Sequence, residues 1–286
     1  RSFQMAVVYG RRRVGKTTLI NEFCRGKRTL SFTALEQSDA DNLADFNRAI
    51  ASFFNLPASL GGFSSWTDAL SFIADRARAE RFVFVFDEFP YAAMRNEALS
   101  SIFQVAIDRA FKETSAFLIL CGSNQGFMES SVLGRKSPLF GRRTAQIKVH
   151  DLGFKDAAKM LPGLSAQDAF KFYGCFGGVP YYLQQLDSSV GLKENLARLY
   201  FDPMGFLYGE PEGLIRQEFQ EPAIYNSILR AVAAGANRAK QIADRVGIAQ
   251  TTLPRYLKAL ESVGIIEKAV PFGENPETSK RGIYRL

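Results

Sequence analysis

An α/β protein with a parallel sheet, followed by a helical segment and a basic terminal module, is predicted from three observations. Short apolar runs alternate with helical patterns up to about residue 150. A G-x-x-x-x-G-K-[ST] string follows the first of those runs. Beyond His150 the strand-like runs cease, and positive charge gathers toward the end of the chain.

Residues 5–9 (MAVVY) read as a buried strand running into Gly10. Residues 30–34, 82–86, 117–121 and 145–149 repeat that pattern, each bounded by polar or turn residues. Leu43, Phe46, Ile50, Phe53 and Phe54 recur at helical spacing behind Asp39 or Asp41 as cap, and Leu70 and Ile73 follow Ser64 or Ser65. Both helices are expected to cover the sheet. Residues 156–219 read as helices broken by Pro162, Gly177, Gly178, Pro180, Pro203 and Pro211. Pro222 then precedes a helix over 223–234. The expected domains are 1–150, a nucleotide-binding core, 151–222, a helical subdomain, and 223–286, a terminal module.

At about 150 residues per domain, 286 residues with 47% hydrophobic content suffice for two or three small cores and exclude global disorder. No apolar stretch reaches the 18 or so residues that cross a bilayer, so no membrane partner is expected. Cys24, Cys121 and Cys175 are too few and too scattered for a disulfide framework or a paired zinc site, which fits a reducing cytoplasm. His150 is the sole histidine, so mechanisms needing two imidazoles are excluded and a carboxylate must activate water. Of the net charge of +7, residues 223–286 carry a surplus of five, ten basic against five acidic, which points to an anionic partner.

Gly10-Arg11-Arg12-Arg13-Val14-Gly15-Lys16-Thr17 lies between a strand and a helix that opens with Thr18, the context a phosphate loop requires. Its backbone N–H groups would turn toward the α- and β-phosphates of a nucleoside triphosphate, Lys16 would reach the β- and γ-phosphates, and the Thr17 hydroxyl would ligate Mg²⁺. Asp87 and Glu88 close the third strand: Asp87 would hold the Mg²⁺ shell and Glu88 would polarise the attacking water. A helix cap near Pro90 is the plain alternative for that pair. Ser123 or Asn124, at the exit of the fourth strand, would sense the γ-phosphate, unless they merely end it. Arg142 and Arg143 would supply transition-state charge in cis or across an oligomer, with a solvated basic turn as the equal alternative.

The strings YGRRRVGKTTLI, FVFDEFPYA, LILCGSN, SPLFGRRT, GGVPYYL and EPAIYNSILRAVAAG resemble the archaeal-type ATPase family, within the STAND branch of AAA-like NTPases. The resemblance runs over nearly the whole chain in motif order. It implies ATP as the nucleotide, a five-stranded core of order 5-1-4-3-2, a helical lid, a winged helix, and hydrolysis acting as a conformational switch. It also implies that Pro180 packs near the adenine. A helix break is the plain alternative for residues 177–180. Family members often carry a short F-x-G-R-E segment ahead of the first strand and a nuclease-like domain after the winged helix; neither falls within residues 1–286, which are either a fragment or a form without that effector, so no nuclease activity is expected of these residues.

Residues 237–246, a turn at Gly247 and a helix over 250–263 read as a helix-turn-helix, with a β-ribbon behind it as wing. On double-stranded DNA, Gln250, Thr251, Thr252, Arg255 and Lys258 would face the major groove, while Lys280 and Arg281 would reach phosphates or the minor groove. Pro254 would cost the second helix one early hydrogen bond. The alternatives are a DNA-binding regulator that holds nucleotide with little hydrolysis, and a module docking a protein partner or a second copy.

Overall fold

The computed structural model describes residues 2–57, 61–219 and 221–286, and the chain divides into two compact units between Leu152 and Gly153. The first unit carries β1 (Gln4–Tyr9), β2 (Thr29–Thr33), β3 (Val83–Asp87), β4 (Phe117–Gly122) and β5 (Ala145–Lys148). All neighbours pair in parallel, in the order β2-β3-β4-β1-β5. This is the expected order read from the other edge.

The five apolar runs are nearly continuous because both faces of the sheet are covered. Along each strand successive side chains alternate. Phe32, Phe84, Phe86 and Leu118 meet Phe46 of α2 (Asp39–Phe54), Trp66 of α3 (Trp66–Ala79) and, beyond the short α4 (Phe89–Arg95), Phe103 of α5 (Leu99–Arg109). Val8, Val85, Ile119 and Cys121 face Ile20 of α1 (Lys16–Cys24) on the other side. Phe86 lies within 6 Å of five other rings, so its truncation to alanine costs about 3–5 kcal/mol. The register sets Tyr9 beside Gly122 and Phe86 beside Leu120, so β1, β3 and β4 all end along one edge of the sheet.

The cap of α2 differs from expectation. Ser38, extended at ψ 158°, accepts the Asp41 N–H at 3.1 Å, while Asp39 turns its carboxylate to Trp66 Nε1 and Asn96 Nδ2. Ser65 caps α3 as expected.

The second unit contains two apolar clusters. One gathers Leu161, Phe172, Phe176, Leu199 and Leu207 around the helix Ala166–Phe176. The other belongs to a winged helix-turn-helix of α6 (Pro222–Ala233), α7 (Ala239–Val246), α8 (Leu253–Ser262) and the antiparallel ribbon of β6 (Glu267–Ala269) and β7 (Ile283–Arg285). Its core reaches back to Ile215, and Phe219 stacks on Tyr225 with ring centroids 3.9 Å apart. Gly247, at φ 76°, ends α7 in the left-handed region that glycine takes without strain. The second helix begins at Leu253 rather than Gln250, which corrects the sequence expectation. Pro254 falls in the first turn, where no intrahelical N–H is needed, so it breaks no hydrogen bond.

Candidate functional site

The segment between β1 and α1 is shaped by three residues at positive φ: Gly10 at 154°, Arg13 at 70° and Gly15 at 91°. Gly10 has a steric requirement as well, because a Cβ there would lie 2.2 Å from the Val149 carbonyl oxygen. Such alternation of backbone conformations turns N–H groups toward a common centre and makes an anion cradle at a helix N-terminus. Lys16 is 6% exposed, and its ammonium donates to the Gly10 and Arg11 carbonyls, both at 2.9 Å. Val14 is buried below the loop, whereas Thr18 is exposed on the helix.

The flanks of the loop are tied down by partners that spacing did not reveal. Arg11 forks onto Asp151 at 3.0 and 2.6 Å, and Arg12 donates to the Tyr91 hydroxyl while lying over its ring at 5.8 Å. Asp151 is 140 residues away in sequence, and only folding places it there.

Across the strand ends, Thr17 Oγ1 donates to Asp87 Oδ2 at 3.1 Å, and the Glu88 N–H donates to Asp87 Oδ1 at 2.9 Å. Asp87 is 7% exposed, so its carboxylate oxygens are positioned by these bonds rather than by water. Beside it, burial first and the Asp87 charge second push the Cys121 thiol far above its usual range and keep it neutral. Glu88 takes the left-handed conformation, φ 50° and ψ 43°, at the N-cap of α4. That turn aims its carboxylate at β4, where Oε2 accepts both the Ser123 N–H at 3.0 Å and the Ser123 hydroxyl at 2.8 Å. Asn124 is otherwise engaged: its Oδ1 accepts the Phe127 N–H at 2.9 Å and caps the next turn. Of the two sequence candidates, Ser123 is therefore the one joined to the acidic pair, and its hydroxyl goes to Glu88.

A hydroxyl and a carboxylate facing each other are the hard oxygen donors that suit Mg²⁺, which is held through one or two protein oxygens plus substrate phosphates. Thr17 and Asp87 fit that ion. Among the described residues no cluster of three or more His, Cys, Asp or Glu is set for a metal.

The segment that carries Arg142 and Arg143 enters the sheet away from the phosphate loop. Thr144 bonds to Met5 at the beginning of β1, whereas the loop starts after its end. Both arginines precede Thr144 and lie at the opposite edge of the sheet, on the order of 15 Å of strand away from the phosphate cradle. Arg142 is committed there, donating to Asp108 Oδ2 and to the Pro138 and Phe140 carbonyls. Its hydrogen bond, followed by that of Lys112, holds the Asp108 carboxyl below the usual carboxylate range. Arg143 lies over the Phe140 ring at 5.8 Å.

In the second unit Gly177, at φ 70°, ends the helix Ala166–Phe176, and Pro180 opens the next short turn, so each has a backbone task. In the winged helix, Gln250 and Thr251 are exposed in the turn before α8, and Thr252 is its half-buried N-cap. Arg255 and Lys258 are exposed three residues apart on α8, hence on one face. Arg255 is the more engaged, reaching Glu221 Oε2 at 3.2 Å and the Tyr256 hydroxyl at 2.5 Å. Lys280 is exposed in the wing, and Arg281 pairs with Glu274.

The family described as an ATPase domain predominantly from Archaea matches residues 1–186, and the IclR helix-turn-helix domain matches residues 227–269. An uncharacterized protein of Methanocaldococcus jannaschii is 32% identical over 100% of this chain and 62% of its own length. The chain thus spans less than two thirds of that relative. Among solved structures, a Walker-type ATPase of Pyrococcus abyssi superposes with a TM-score of 0.66 at 19% identity, over 99% of this chain and 88% of that one. The Aeropyrum pernix ORC2 protein, in ADPNP–ADP complexes, gives 0.55 at 15% identity, over 99% and 83%. At these identities the likeness is one of fold.

Proposed function

The chain belongs to the family of ATPase domains found predominantly in Archaea, and from that premise we propose that it is a Mg²⁺-dependent, ATP-hydrolysing switch acting on a winged helix that contacts double-stranded DNA. The observation that carries this reading is the Thr17–Asp87 hydrogen bond, which joins the phosphate loop to the acidic strand end, with Glu88 as the next residue.

On this reading the Gly10–Lys16 backbone cradles the α- and β-phosphates, and Lys16 exchanges its two loop carbonyls for phosphate oxygens. Thr17 and Asp87 would hold Mg²⁺, which would neutralise charge developing on the phosphates. Glu88 keeps Oε2 on Ser123 and uses its other oxygen to take a proton from the attacking water. Adenine as the base, and Pro180 as the residue near it, are taken from the family resemblance. Arg143 keeps a catalytic role only toward a second copy. The protein works in the cytoplasm: no helix among the described residues is long and apolar enough to cross a membrane, and Cys24, Cys121 and Cys175 are unpaired thiols.

The test is phosphate release with ATP and GTP, with and without duplex DNA, on the wild type and Lys16→Ala. ATP-selective release that needs Mg²⁺ and vanishes in Lys16→Ala is expected. Equal release by Lys16→Ala would remove the phosphate loop from the reaction. A second reading, in which nucleotide is held but scarcely hydrolysed, is favoured by the same two hydrogen bonds from Ser123 to Glu88, taken as a restraint rather than a support.

A further inference from the structure

The wing holds an aromatic residue that the fold leaves outside. Phe272 is fully exposed, at 108% of its reference area, three residues beyond the end of β6. Its position is nevertheless defined. Glu274 N–H bonds to the Pro271 carbonyl at 3.0 Å, closing a four-residue turn with Phe272 second and Gly273 third, and Gly273 at φ 83° supplies the left-handed residue that such a turn needs. Pro271, which opens the turn, has a fixed φ. The rest of the loop is internally bonded: Lys268 donates to the Pro276 and Ser279 carbonyls at 2.6 and 3.0 Å, and Ser279 Oγ to Glu274 at 2.5 Å. The Lys268, Glu274 and Ser279 side chains are bonded within the loop while its large apolar side chain is presented to solvent. Because the turn defines the backbone on either side of Phe272, only the side chain itself has to be ordered when the ring enters a slot.

The slot must be flat, apolar and bordered by anions. The wing carries Lys280 and Arg281 in exposed positions, with Glu277 exposed in the same loop, and the Glu274 carboxylate is taken up by Arg281 and Ser279. Residues 223–286 hold a surplus of five positive charges. A step between stacked base pairs, approached between two phosphate strands, meets all three conditions. We propose that Phe272 is a wedge that enters a base step from the minor groove and bends the duplex, while the exposed face of α8 lies in the neighbouring major groove. The proposal rests on the DNA-contacting reading given above and adds how that contact deforms its ligand.

The experiment uses the full chain and a duplex carrying 2-aminopurine, with end-labelled fluorophores to report bending, at low salt and with ATP or ADP. The wild type is expected to bind, raise 2-aminopurine emission and shorten the end-to-end distance. Phe272→Ala is expected to bind about tenfold more weakly with neither signal, and Phe272→Trp to restore both. Since the side chain is outside every core, the substitution leaves folding and DNA-free hydrolysis unchanged. Tight binding with identical signals in wild type and Phe272→Ala would overturn the wedge and leave DNA contact standing. Failure of the wild type to bind duplex in either nucleotide state would overturn the DNA reading and the wedge together.

Discussion

The phosphate site and the winged helix differ in where their candidate groups place their hydrogen bonds. Thr17 and Asp87 are 70 residues apart and Glu88 and Ser123 are 35 apart, yet each pair is bonded across strand ends inside the first unit. In the winged helix Gln250, Thr251, Lys258 and Lys280 point into solvent, and Arg255 and Arg281 each hold a single carboxylate. Chemistry at a phosphorus atom needs groups fixed to a fraction of an ångström. A contact surface needs access and charge instead, because much of its affinity comes from counterion release. Substitutions should therefore act steeply in the first region and gradually in the second.

The largest expected effect is at Glu88. Glu88→Gln keeps the carbonyl that accepts from Ser123 but removes the base, so hydrolysis should fall on the order of 10²–10⁴-fold while calorimetry finds ATP binding unchanged. Unaltered turnover would take Glu88 out of the mechanism. Ser123→Ala comes next, with kcat about tenfold lower, KM little changed, and recovery in Ser123→Thr. A rise in kcat would favour the second reading, in which Ser123 restrains Glu88. The winged helix should respond differently: Lys258→Ala lowers duplex affinity a few-fold, reduces the slope of log affinity against log salt by about one, and leaves DNA-free hydrolysis untouched. A large loss of hydrolysis in that variant would break the division between the two regions.

The same division decides what could be read from the sequence. Strand positions were legible from local periodicity and the phosphate loop from a motif whose residues adjoin in sequence, whereas the sheet order came only from the family resemblance. Partners brought together only by folding were not. Nothing near Arg11 foretells Asp151, and nothing near Glu88 foretells that its left-handed backbone will hand the carboxylate to Ser123 rather than to its own helix. The cap of α2 shows the effect on a smaller scale: three oxygen-bearing residues compete at the helix start, and Asp39 is drawn away by Trp66 and Asn96. Arg142 and Arg143 could not be placed from the sequence, because an arginine pair before a strand reads alike at either end of a sheet.

Arg142 supplies the smallest effect and the sharpest contrast within the first unit. Its guanidinium and the Lys112 ammonium stabilise the ionised form of Asp108, whose carboxyl titrates below its unfolded value of about 3.9. A lowered folded pKa contributes stability that is fully present above the unfolded pKa and is lost as pH falls through the folded one. Asp108→Asn should thus destabilise the protein at neutral pH by about 1 kcal/mol, a figure kept low because water still reaches both side chains. Denaturant curves of wild type and variant should converge below about pH 4 as Asp108 takes up its proton. Arg142→Ala should weaken stability in the same pH window while phosphate release by the monomer stays at the wild-type rate. A turnover defect out of proportion to the lost stability would return Arg142 to the reaction, and the route would have to run through a second copy, since its own phosphate cradle lies at the far edge of the sheet.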